Sequence, residues 1–156
     1  MKKKSVKTKV VALTAVIAVS ATTAVFAHGG AMGIVKERMD LMSAIGKNMK
    51  SVAAMVKGEA KFDPAAIGSS AKSIAEHSTK INDLFPKGSL DKPTEALPSI
   101  WEDWDRFAQL SKDLETEANK LAEAATSGDK RAVMMQFAKT GKVCSTCHTD
   151  FRIKKD

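Results

Sequence analysis

The chain has 156 residues, a formal net charge of +7, 44% apolar residues, two cysteines and no tyrosine. Five of its 25 basic residues (Lys2, Lys3, Lys4, Lys7 and Lys9) stand in the first nine positions; without them 20 bases face 18 acids, a net of +2. The basic character therefore argues for no nucleic-acid partner, and no basic stripe with interleaved aromatics appears in the remainder. The chain is rich in Ala, Lys, Met and Glu and lacks β-branched alternation, which favours an all-helical fold.

The lysine-rich start is followed by an apolar run over 10–19 and then by Ala21-Thr22-Thr23-Ala24-Val25-Phe26-Ala27. Small residues at Val25 and Ala27 suit the positions that a signal peptidase reads, so residues 1–27 are expected to be a signal peptide cleaved after Ala27. An uncleaved anchor is the competing reading, but the run falls short of the roughly 20 residues of a membrane span. The mature domain is then 28–156, exported to the periplasm and free of the membrane.

A first helix is predicted over 31–57. Val35, Met42, Met49 and Val56 recur every seven residues, with Ile45 and Val52 as the accompanying series. Arg38 interrupts this stripe, seven residues before Ile45. A guanidinium there needs an anionic partner or must snorkel out of the end of the fold. Gly58 stops the helix. Asp63-Pro64 opens a second helix as cap and first-turn proline; Ile67, Ala71, Ile74, Ile81, Leu84 and Phe85 mark its buried face, and Pro86 ends it. His77 falls at the edge of that face and reads as a boundary residue.

Gly88, Pro93 and Pro98 make 87–98 a long irregular connection that could cross one end of the fold. The third helix, predicted over 99–126, carries Ile100, Trp104, Phe107, Leu114, Ala118, Leu121 and Ala125 at alternating spacings of three and four. Of Trp101 and Trp104, one is expected in the core and one at a cofactor or subunit border. Ser127-Gly128-Asp129 separates it from a fourth helix over 130–152, with Phe137, Cys144 and Phe151 on one heptad series and Met134, Gly141 and His148 on the next. Four amphipathic helices make an all-α, antiparallel four-helix bundle the expected architecture.

The chemistry sits on the fourth helix. Cys144-Ser145-Thr146-Cys147-His148 is the attachment pattern of a c-type haem: the two thiols bond the haem vinyl groups and the next residue binds the iron. On a helix, Cys144, Cys147 and His148 stand at i, i+3 and i+4 and project from one side. Gly141, one heptad before His148, is either a close-approach position or a tolerated small residue. A zinc site would need a fourth ligand, and a thioredoxin-like centre a βαβ setting; a Cys144–Cys147 disulfide would close only a small loop and leave His148 unexplained. Met42, at i+4 from Arg38, has three readings: a thioether ligand to iron, a cover over a vacant iron face, or core filling. Arg38 is expected to meet a haem propionate. No nucleophile–base–acid set appears, and no enzyme is expected.

These features together resemble the cytochrome c′ family, the class II cytochromes c. The resemblance covers the whole mature chain. It rests on Val143-Cys144-Ser145-Thr146-Cys147-His148 near the C-terminus with Phe151-Arg152 after it, on Arg38-x-x-x-Met42 with Gly46, Asn48 and Met49, and on Val56-Lys57-Gly58-Glu59-Ala60 with Phe62-Asp63. It implies one haem c, bound through Cys144 and Cys147, with His148 as the metal ligand and a high-spin, five-coordinate iron that takes nitric oxide and carbon monoxide. It also implies that Met42 packs over the open face, that Arg38 lies near the propionates, and that Met39, Glu95 and Arg152 contact the haem or its pocket. A homodimer through the first two helices follows from it, as does an unidentified redox partner. A low-spin branch of the same class, with Met42 as sixth ligand, is the alternative.

Overall fold

The computed structural model describes residues 30–154, so the predicted signal peptide and its cleavage site lie outside the described residues. Five helices follow in order: α1 Gly33–Lys57, α2 Pro64–Ser78, α3 Ser99–Glu102, α4 Trp104–Thr126 and α5 Lys130–Phe151. The four long ones form an antiparallel bundle arranged α1, α2, α4, α5. The α2–α4 and α4–α5 faces are the broadest contacts, and α1–α5 the narrowest of the four.

Local chemistry sets the helix ends. Gly58 takes a left-handed conformation (φ 83°) that most side chains resist, and its N–H donates to Ala54 and Met55 carbonyls at the end of α1. The Asp63 carboxylate accepts from the Ala65 and Ala66 amides, with Pro64 in the first turn. Asp129 caps α5 by accepting from the Arg131 amide at 2.8 Å.

Two of the predicted helices are interrupted. The second ends at Ser78, not at Phe85. Ser78 Oγ donates to the Ile74 carbonyl, and Thr79 Oγ1 to that of Glu76. The Lys80 and Ile81 amides then make three-residue bonds to His77 and Ser78, so the chain tightens into a short 3₁₀ turn over Asn82–Leu84. Ile81 and Phe85 still reach the core from this turn. The third predicted helix bends at Asp103 (φ −127°, ψ 57°), which separates α3 from α4. The bend turns Trp104 outward, 36% exposed against the Phe107 ring, so it is not the core residue that an unbroken stripe implies. Trp101 is half-buried and donates its indole N–H to the Phe85 carbonyl at 3.0 Å. Neither tryptophan borders the cavity described below. His77 is also half-buried, with Nδ1 2.6 Å from the Ser73 carbonyl oxygen, well within its own helix.

The core has two ends of different character. One is solid: Val52, Met55, Ile67, Ala71, Leu121, Ala122, Ala125 and Val133 pack together. The other gathers Leu41, Ile45, Ile74, Phe85, Ile100, Phe107, Leu114 and Phe151, with Met42, Met49, Cys144 and Cys147 only partly covered against it. Between α4 and α5 a polar bracket sets the register. Gln136 Nε2 donates to the Glu117 carbonyl and carboxylate, and Thr140 Oγ1 donates to the same Glu117 carbonyl. Hydrogen bonds from Lys120 and Gln136 hold the Glu117 carboxyl below its ordinary range.

Two outcomes follow. Leu121→Ala should lower stability by about 3 kcal/mol, as a buried leucine truncation does. Its visible absorption should stay that of the parent, because no residue of the solid end lines the cavity; denaturant unfolding and absorbance check both. The Glu117 contribution is present above the unfolded carboxylate value and fades as pH falls through the lowered folded value. The stability gap between parent and Glu117→Gln should therefore be widest near neutrality and close in acid, measured by urea unfolding across pH.

Candidate functional site

Helix α5 runs unbroken for 22 residues, and its register places Cys144, Cys147 and His148 on one wall of a cavity of about 880 Å³. That volume lies within the range of roughly 300–1,000 Å³ of small-molecule sites. Met39, Met42, Gly46 and Met49 of α1 form the facing wall; Phe107, Leu110 and Leu114 of α4 form the floor. The irregular connection closes the end with Pro93, Thr94, Glu95 and Ala96. All eight residues singled out in the sequence (Arg38, Met39, Met42, Glu95, Cys144, Cys147, His148 and Arg152) line this one space.

Both thiols are free and half-buried, one helical turn apart. Burial raises the Cys144 thiol, and burial with the neighbouring Cys144 and Asp150 charges pushes Cys147 up to about 11. The thiols are accordingly protonated at neutral pH. Burial also lowers His148, assisted by Arg152 and opposed by Glu95. The neutral imidazole this favours is the form with a lone pair for a metal. Gly141 faces Met49: a Cβ built there would sit 3.9 Å from the methionine methyl, an ordinary contact. No neighbouring helix therefore comes close enough to demand glycine at this position.

Arg38 does not snorkel out of the end of the bundle. At 4% exposure it is buried, and its five N–H donors meet neutral oxygens. Nε donates to the Leu84 carbonyl; Nη1 to the Ser89 carbonyl and Thr94 Oγ1; Nη2 to the Ser89 carbonyl and Oγ. The guanidinium also lies 3.9 Å from the Phe85 ring centre. Glu95 and Arg152 form an ion pair across the end of the cavity. Beside it, the Leu97 amide donates to the Phe151 carbonyl and the Ile153 amide to that of Glu95.

Sequence reasoning missed the residues that complete the walls. Phe107 and Leu114 stood on a heptad stripe, but apolar spacing does not distinguish a residue in a core from one beside a cavity. Pro93 and Thr94 belong to a connection without periodicity, where no spacing signal exists.

The donor set fits a covalently held haem. Two thiols at one-turn spacing face an apolar space beside an imidazole. Residues 33–152 match the family model described as Cytochrome C′. The cytochrome c′ of Rhodopseudomonas palustris is 38% identical over 128 residues, covering 78% of this chain and 83% of that one. Its solved structure superposes with a TM-score of 0.75 at 35% identity, covering 81% and 100% of the two chains. Cytochrome c-556 of Agrobacterium fabrum is 35% identical over 125 residues, 80% of this chain and 84% of that one. A cytochrome c′ variant from Alcaligenes xylosoxidans, solved as a nitric oxide complex, has a TM-score of 0.70 at 27% identity over 78% and 94% of the chains. The family's cofactor is haem c, and Cys144 and Cys147 are compatible with its covalent attachment. With the family match spanning most of its length, the chain belongs to the cytochrome c′ family and is a class II c-type cytochrome.

Proposed function

We propose that this cytochrome is a periplasmic protein that binds nitric oxide and carbon monoxide at a five-coordinate, high-spin haem and exchanges single electrons. The observation that carries this reading is the asymmetry of the cavity. One wall presents two thiols and an imidazole; the other presents Met42 among apolar and small residues, and no histidine, lysine or carboxylate stands beside it on α1. When bound, haem supplies a reversible one-electron change and a coordination position for a diatomic molecule. Cys144 and Cys147 would tether the group, and His148 would ligate the iron through its neutral imidazole. Met42 would pack over the opposite face and restrict it to small ligands. Arg38 and Met39 would border the group from α1, and Glu95 with Arg152 would close the end of the pocket.

Export with cleavage after Ala27 accords with the composition of residues 1–27. A homodimer through α1 and α2 is the assembly we favour; one solved cytochrome c′ of this fold undergoes ligand-controlled dimer dissociation. The redox partner belongs to the same proposal, and a bound haem with Met42 packed over its face would leave little room for an organic substrate.

A second reading has an observation in its favour. Met42 carries the one class of side chain on the facing wall that binds haem iron. In that case His148 and Met42 would both ligate and the protein would be an electron carrier.

The absorption spectrum of the ferric protein decides. The open-face reading expects a high-spin spectrum; a weak methionine–iron charge-transfer band toward the red would replace it with the carrier. With an open face, Met42→Ala should leave the spin state unchanged and speed carbon monoxide association by about tenfold, equivalent to removing roughly 1.4 kcal/mol of steric barrier. If Met42 ligates, the same substitution should convert a low-spin spectrum to a high-spin one.

A further inference from the structure

The connection between α2 and α3 is fastened from two opposite helices. On the α5 side, a short antiparallel bridge joins Ala96 to Arg152, flanked by the Leu97 and Ile153 amide bonds and the Glu95–Arg152 ion pair. On the α1 side one residue does the fastening. Arg38 reaches three separated points of the segment: Leu84, Ser89 and Thr94. Thr94 Oγ1, which accepts from Arg38, also accepts from the Ala96 amide at 3.2 Å. The segment has few backbone bonds of its own here: Ser89 to Pro86, Leu90 to Gly88 and Thr94 to Asp91.

A buried guanidinium bonded only to neutral oxygens is costly compared with an apolar side chain. Its planar fork of five donors, however, serves several acceptors at once in a way that an ammonium cannot. The place it holds is where the bundle needs it. α1 and α5 make the narrowest of the bundle's contacts, and the strap spans from one to the other at the end of the cavity.

We propose that Arg38 is a positioning residue that clamps the strap 84–96 as the end wall of the cavity, and that through the strap it sets the spacing of α1 from α5. Met42 stands one turn beyond Arg38 on α1, so the clamp governs how closely its side chain approaches the His148 wall. This differs from a role as a charge beside the haem. In the clamp, the fork and its acceptors matter; the positive charge alone does not suffice. The effect on ligand access rests on the haem reading above, whereas the clamp itself does not.

The test is hydrogen exchange of the haem-loaded protein, comparing parent, Arg38→Lys and Thr94→Val. Arg38→Lys keeps the charge and loses the fork; Thr94→Val keeps Arg38 and removes one acceptor. Both should speed exchange of the Ser89, Leu90 and Thr94 amides by about tenfold, the scale expected for losing a hydrogen bond to a charged group. The Ile67 and Val133 amides, at the solid end, should keep the parent rate. Trypsin should cut after Lys87 faster in both variants, and carbon monoxide association should shift in the same direction in both. Unchanged strap amides in Arg38→Lys and Thr94→Val would overturn the clamp. So would a reduction potential that moves in Arg38→Ala while the strap stays protected. Because exchange does not involve the iron, a failed haem reading shows in the colour of the parent, and a failed clamp in the strap.

Discussion

Rotation of α5 about its own axis is the constraint on which the hollow end depends. A helix turns by about 100° per residue. A slip of one position would carry Cys144, Cys147 and His148 away from the cavity together. Apolar packing restrains such rotation poorly, because many rotamers fill a groove almost equally well. The Glu117 bracket is directional: Gln136 and Thr140 each donate to the same backbone carbonyl on α4. Val133 and Phe151 seal the ends of that face. Cys147 stands one heptad after Thr140, on the bracketed face itself, with Cys144 and His148 beside it toward the cavity.

The same bundle holds a solid end and a hollow end, which divides the work between them. Val52, Ile67, Ala71 and Leu121 are fully buried and pay for the chain entropy of folding there. At the other end the helices forgo contact with each other and present apolar side chains and thioethers to a shared space. Protein interiors are ordinarily close-packed, so an apolar lining of this extent is the imprint of a large flat guest. Polar contacts carry what packing does not: Arg38 on the strap, Glu95 with Arg152, and the Arg106–Asp150 pair beside Cys147, whose guanidinium gives two hydrogen bonds to one carboxylate oxygen.

Much of this was legible before any coordinates. Heptad spacing located the four long helices, because an amphipathic stripe has one stable use. Asp63-Pro64 and Gly58 marked their ends through chemistry local to a few residues. The cysteine–histidine motif pointed to the site because its spacing is covalent geometry, independent of the fold. What escaped the reading depends on tertiary partners. Ser78 and Thr79 end α2 by returning hydrogen bonds to their own helix, an outcome that a stripe through Ile81 and Phe85 conceals. Trp104 fits the heptad but is turned out by a bend at Asp103. Arg38 was recognised as anomalous on its stripe, yet its acceptors lie in a segment 46 to 56 residues away that has no period to read.

On the proposed reading, coordination at the iron turns on the spacing between Met42 and the His148 wall. The elements that fix His148 are the capped, bracketed α5 and the β-bridge at its end. Those that fix Met42 are α1 and whatever holds α1 in place. The two helices meet only narrowly, so their separation is determined largely by what spans them. A thioether within bonding reach of the iron makes a carrier; the same thioether held back makes a cover that admits diatomic molecules. In the proposed clamp, Arg38 with its strap is the element placed to set that reach.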